Sequence, residues 1–321
     1  MSWNSKRLIL MDGDAGGASG GEAGTGTPTS WDVLVDAAGG GDTTSIDTAV
    51  GTTGAKAIWI KGGTYSESVT MDVSKQHFYF EPGTILTGTL TVSADKVCVD
   101  CGCDVNLQSA ITWSGDSGIL LGKNTLSLDS TLTVSGIDFT YNGRGLDGTQ
   151  GGTLEFSGAG SAILEMNKAD ATGAGVDAVR IATSTGANVK IVNGWRFDAA
   201  GRDNFRAQST GEYCLFSYCQ SINTGTGSLC AIAGHKQFIA VGNTINYGAG
   251  SEGGFNCVDA DNCVIASNMV ADQPTDSIFF DSNSDNNVAV GNRFEVGSSS
   301  GESIDDDGTG NTSGSNQISS I

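Results

Sequence analysis

The chain has 321 residues, among them 48 glycines and 3 prolines, and its 36 acidic against 16 basic side chains give a formal charge of −20. So much glycine without a three-residue period excludes collagen and suits a fold made of many turns, while the charge opposes binding to a phosphate backbone and removes nucleic acid as an expected partner. No apolar run reaches the roughly 18 residues of a membrane-spanning helix, and Leu8, Ile9, Leu10 and Met11 make too short a run for a secretory leader, so the expectation is a chain made in the cytoplasm without a membrane partner.

Residues 1–43 read as an arm. A stretch of Gly, Ala, Thr and Ser over residues 12–28 holds too little apolar surface to order itself. It is flanked by apolar groups on both sides, so Trp3, Leu8, Ile9, Leu10 and Trp31 are the expected anchors. Next, Ile46, Ala49 and Val50 stand at i, i+3 and i+4 behind Thr43, Thr44 or Ser45, which predicts a short amphipathic helix. A helix there is placed to cap the open end of a stack of strands.

From residue 57 the chain repeats. Ile58-Trp59-Ile60, Phe78-Tyr79-Phe80, Val97-Cys98-Val99 and Ile119-Leu120-Leu121 recur every 19 to 22 residues. In the later half Trp195-Arg196-Phe197, Gln220-Ser221-Ile222, Asn243-Thr244-Ile245, Asn268-Met269-Val270 and Asn292-Arg293-Phe294 recur every 23 to 25. A second column, Val179, Phe205, Leu229, Phe255, Ile278 and Ile304, runs between them with the same period. Two columns sharing one period mean one coil per repeat, with equivalent strands stacked in parallel about 4.8 Å apart. The prediction is an all-β chain: a single-stranded right-handed parallel β-helix over residues 44–310, with a short cap helix and an extended arm before it and a tail over 311–321. Gln220, Asn243, Asn268 and Asn292 are expected to stack as a structural amide ladder.

Eight cysteines, Cys98, Cys101, Cys103, Cys214, Cys219, Cys230, Cys257 and Cys263, sit mostly in apolar runs and read as packed, reduced thiols. Cys98, Cys101 and Cys103 supply half of a zinc pattern, and the second half is missing. No metal and no cofactor are expected. Asp203, Asp259, Asp261 and Asp281 lie on later coils, where neighbours one coil apart can stand about 5 Å from each other, the separation that retaining glycoside hydrolysis uses. These are the candidate catalytic residues. Against that role, Asp177, Asp203, Asp276 and Glu302 repeat two residues ahead of the apolar column, a place that suits a solvated turn carboxylate. His77 and His235 read as strand-edge or surface residues rather than bases.

The cap helix followed by Gly63, Tyr65, Glu67 and Val69 resembles the opening of pectin-lyase-like parallel β-helices, where a helix precedes a first coil reading Gly-x-Tyr-x-Glu-x-Val. The resemblance implies a fold and not an activity, because that superfamily includes lyases, glycosidases, esterases, adhesins and phage appendage proteins. The signature runs of the related polygalacturonases do not occur together. An acidic β-helix rich in glycine and serine, carrying a grasping arm, resembles bacteriophage virion proteins, either capsid decoration (cement) proteins or tailspikes. That likeness implies a homotrimer on the exterior of the virion, assembled in the host cytoplasm against partners such as the major capsid protein. Two alternatives stay open: a tailspike that binds or depolymerises host-surface polysaccharide, and a free polysaccharide lyase or glycoside hydrolase.

Overall fold

Strands such as Ala57–Ile60 and His77–Phe80 alternate buried and half-buried residues, so Ile58, Ile60, Phe78 and Phe80 enter one core while Trp59 and Tyr79 face out. The computed structural model describes residues 31–122, 126–142, 149–150, 152–157, 162–165, 168–171, 177–182, 187–200, 203–208, 212–222, 230–234, 236–246, 254–271, 276–296 and 303–320. Its strands stack into a 13-stranded, an 11-stranded, a 7-stranded and a 5-stranded sheet, and each sheet takes one strand from successive coils. Every pairing is parallel, as in Ile58 beside Phe78 and Phe78 beside Val99. The result is the right-handed parallel β-helix, the hand that parallel crossovers adopt. Coil length changes along it. Ile58, Phe78, Val99, Leu120 and Tyr141 pair at intervals of 20 to 21 residues, whereas Val192, Phe216, Ala240, Ile265 and Ala289 pair at 24 to 25. Where coils press together a side chain has no room: a Cβ on Gly115 would fall on the carbonyl of Ala94.

The cap helix spans Ile46–Val50 behind the N-cap Ser45, and it buries Ile46, Ala49 and Val50. The carboxylate of Glu67 accepts from Ser45 Oγ at 2.6 Å and from the Ile46 N–H at 2.7 Å, which satisfies the start of the helix from the next coil. Asp47 in turn accepts from the Thr70 N–H at 3.0 Å, at the strand Val69–Met71 that begins the 11-stranded sheet. The helix therefore stands where a further strand would pair. The 13-stranded sheet has one more rung ahead of it, Val33–Val35, so the β-helix starts before residue 44. It also continues past residue 310, because Thr312–Gly314 and Gln317–Ser320 add the last rungs of two sheets.

Two turn features hold the later coils in register. One is a left-handed residue in each turn after the 13-stranded sheet: Gly194, Tyr218, Gly242, Ser267, Gly291 and Ser315 all have positive φ. The other is the residue that follows each of them. Asn243 donates its N–H to Asn268 Oδ1 at 3.0 Å, Asn268 to Asn292 Oδ1 at 3.0 Å, and Asn292 to Asn316 Oδ1 at 2.9 Å. Each Nδ2 closes on a core-strand carbonyl, those of Phe216, Ala240, Ile265 and Ala289.

This geometry corrects the expected ladder at Gln220. Gln220 is exposed and pairs with Arg196 and Thr244, one residue along. Cys219 takes its rung and donates its N–H to Asn243 Oδ1 at 2.9 Å. The same one-residue shift puts Ser221 rather than Ile222 beside Phe197, and a shift of the opposite sense puts Cys230 rather than Leu229 between Phe205 and Phe255. Asn316 is a fourth amide that the triplets missed. A second ladder also went unread: Cys263 donates its N–H to Asn287 Oδ1 at 2.8 Å, and Asn287 to Asn311 Oδ1 at 2.7 Å.

Replacing Asn268 by alanine removes the acceptor of the Asn243 N–H and the donor to Ala240, and each orphaned buried group costs about 1–3 kcal/mol. Denaturant titration should show Asn268→Ala destabilised by about 3 kcal/mol, with Gln220→Ala within about 0.5 kcal/mol of the parent. Equal effects from the two would refute the assigned register.

Candidate functional site

The carboxylates of the later turns are occupied by the backbone of neighbouring coils. Asp281 Oδ1 accepts from the Asp259 N–H at 2.9 Å and from Ser284 Oγ at 2.5 Å. Asp261 Oδ1 accepts from the Asp285 N–H at 3.1 Å, and its other oxygen lies 3.7 Å from Lys236 Nζ. Asp285 repeats the bond one coil on, to the Thr309 N–H at 2.9 Å. The early coils do the same, with Asp95 bonded to the Asp116 N–H and Asp116 to the Ile137 N–H, both at 3.0 Å. These aspartates stand at turns that enter the 13-stranded sheet, where a residue such as Lys96, Ser117, Asn262 or Asn286 has positive φ. Asp261 and Asp281 are thus arranged as inter-coil braces, Asp259 joins them through its backbone N–H alone, and Asp203 lies apart on the 11-stranded side.

Asp177 and Asp203 depart from the solvated turn carboxylates expected at that place, for both are buried. A buried carboxylate needs a partner. Asp203 has Arg206, whose Nη1 sits 2.7 Å from its Oδ2, and the Asp203 N–H donates to Asp177 Oδ1 at 3.4 Å. Glu302 and His235 fall outside the described residues, and His77 lies in the strand His77–Phe80.

On the outer face of the 11-stranded sheet, Glu155, Arg180 and Arg206 follow one another rung by rung. Arg180 lies 3.7 Å from Glu155 and donates to Gln208 Oε1 at 3.1 Å. The Nε atoms of Arg180 and Arg206 have no hydrogen-bond partner among the described residues. Two guanidinium groups one rung apart repel each other, and Glu155 and Asp203 offset that repulsion. Those two Nε atoms are buried, so it is the partly exposed Nη ends that a carboxylate, sulfate or phosphate ester would meet. The sequence marks this stack by an Asp-x-apolar-Arg run that recurs at residues 177–180 and 203–206. The sequence reading followed the aspartates of that run and missed the arginines.

A second cluster lies on the outer face of the 13-stranded sheet. Trp31 stacks on Tyr79 with ring centroids 5.8 Å apart and also lies 5.8 Å from Trp59. Of the expected anchors Trp31 is described, while Trp3, Leu8, Ile9 and Leu10 lie outside the described residues. None of the eight cysteines forms a disulfide. Among the described residues no three of His, Cys, Asp and Glu stand together as a metal site.

Burial raises the thiols of Cys101, Cys230 and Cys257, and it pushes Cys219 and Cys263 up to about 12. A thiol so raised stays protonated, and unreactive, until the pH approaches that value. Titration of the native chain with a thiol reagent at pH 8 should therefore label Cys103, the one cysteine that is not buried, and reach all eight only after unfolding. Rapid native labelling of Cys219 or Cys263 would contradict the packing.

No protein-family model matches the chain, and no curated protein matches it. Among solved structures, a pectin methylesterase from carrot is similar at 13% identity over 94% of this chain and 90% of that one, with a TM-score of 0.38. A likeness so remote transfers no residue role to this chain.

Proposed function

We propose that the chain is a structural, non-enzymatic β-helix of a bacteriophage particle, a homotrimer that decorates or cements the outside of the capsid shell against the major capsid protein. The observation that carries this reading is the use made of the carboxylates. Asp261, Asp281 and Asp285 accept backbone N–H groups or hydroxyls from within the solenoid, and Asp203 is tied to Arg206. Side chains so engaged brace the scaffold rather than wait for a substrate. The charge of −20 keeps many copies soluble and mutually repelled on a crowded surface.

A second reading has its own observation. The stacked Arg180 and Arg206 suit a tailspike that holds an acidic host-surface polysaccharide. Quantifying the chain in purified intact particles separates the two. Decoration predicts a fixed, high copy number on the shell, and a protein recovered free or confined to tails rejects it. Incubation with host capsular polysaccharide or lipopolysaccharide should leave chain length unchanged, and shortening of the glycan would reject the non-enzymatic reading.

A further inference from the structure

The outer face of the 13-stranded sheet carries an apolar stripe in its later half. Leu215, Ile239, Val264 and Val288 pair rung to rung and point away from the core. Val241, Ala266 and Val290 form a second column beside them. Ile239 and Val290 are 40% and 38% exposed, and Tyr218 at the border is 71% exposed. Neither column holds a charge, nor do the border residues Asn262, Asn286, Gly242 and Ser267. On a chain of charge −20 such an uncharged gap stands out from the rest of the composition.

Size decides between occupants. Four rungs about 4.8 Å apart and about five residues wide give a footprint on the order of 300–400 Å². That matches the largest apolar patches of monomers, which are often functional, and it is about half of what each partner gives to a stable protein–protein interface. A second copy of the body is poorly matched, and a short apolar segment is well matched.

The chain contains such a segment. Residues 3–11 hold Trp3, Leu8, Ile9, Leu10 and Met11, with Lys6 and Arg7 between them and no acidic group. Asp285, and Asp261 with Lys236 3.7 Å from it, stand one residue beyond the Asn286 and Asn262 border, so basic side chains on an apolar segment meet an apolar stripe whose rim keeps a net acidic charge. The route is marked as well. Trp31 lies on the same face, against Trp59 and Tyr79, and the indole N–H groups of Trp31 and Trp59 are buried there without an acceptor among the described residues. From the strand of Tyr79 to that of Leu215 is six rungs, about 29 Å. Residues 12–30 reach about 60 Å when extended.

We propose that residues 3–11 dock in cis on this stripe, with Leu8, Ile9 and Leu10 over the Leu215 to Val288 column and Lys6 and Arg7 toward Asp261 and Asp285. The tether supplies a high effective concentration, so the chain's own segment outcompetes a neighbour's. The proposal does not depend on the chain being a virion protein.

A benzophenone side chain placed at position 8 of the full-length chain tests it. Irradiation of an equal mixture of isotopically light and heavy protein, read by mass spectrometry, should give cross-links to the stretch 215–290 within single chains. Ile239→Asp should lower that yield at least tenfold, and Lys6→Ser with Arg7→Ser should lower it several-fold at low salt. Thermal unfolding of each variant, unchanged within a few degrees, separates lost docking from lost folding. Cross-links elsewhere, light-to-heavy cross-links, or a yield indifferent to Ile239→Asp in a folded variant would each overturn the proposal.

Discussion

In a parallel solenoid the side-chain period of two turns any one-residue slip of a coil into an exchange of core for surface. The structure answers this constraint in its turns. A side-chain oxygen of one coil takes the backbone N–H of its neighbour, from Asp95 to Asp116 and Ile137 in the early coils and from Asp261 to Asp285 and Thr309 in the later ones. The asparagine ladder does the same on the far side of the 13-stranded sheet. Core apolar groups such as Phe216 and Phe238 drive burial without direction. The directional bonds decide which residue of each coil goes inside.

That division of labour explains how an acidic sequence yields so little free acid–base chemistry among the described residues. Carboxylates are costly to bury and strong as acceptors, so they suit turns where an N–H of the next coil would otherwise lack a partner. Asp203 goes further inside and needs a full cation, which Arg206 supplies at 2.7 Å. The stack Glu155, Arg180 and Arg206 then leaves two partly exposed guanidinium groups on the outer face of that sheet, with their Nε atoms buried.

Much of the fold was legible in the sequence because the apolar period is physical. The columns through Phe78, Phe255 and Ile278 fall in the core, and Ile46, Ala49 and Val50 form the buried side of the cap helix. The errors cluster at one coil. Gln220 and Ile222 were each placed one residue late, and the cause is Tyr218, while Leu229 was placed one residue ahead of Cys230. The left-handed turn position is Gly194, Gly242, Ser267, Gly291 or Ser315 in the other coils, residues that announce a turn, whereas a tyrosine there conceals it. With Cys219 in the ladder the spacing from Trp195 to Asn316 becomes 24, 24, 25, 24 and 24, more regular than the triplets implied. The site was less legible. The residue types were visible, but an aspartate brace and an aspartate nucleophile differ only in what lies a coil away, and that partner is 21 to 24 residues distant along the chain.

Both amide ladders end on a cysteine, which defines where they stop. A ladder residue must accept from the rung before it and donate to a core carbonyl, and asparagine does both. At the first rung there is no earlier amide to serve, because Trp195 stands where the next asparagine would be. Cys219 therefore needs only its backbone N–H, given to Asn243, and a small side chain that fits. Its Sγ lies 3.8 Å from the Val192 carbonyl, the equivalent of the oxygens that Asn243 and Asn268 reach with Nδ2. Cys263 plays the same part above Asn287 and Asn311. Thiols used in this way are held protonated by their burial, so the same packing that ends the ladder also withdraws these sulfurs from redox and nucleophilic chemistry at neutral pH.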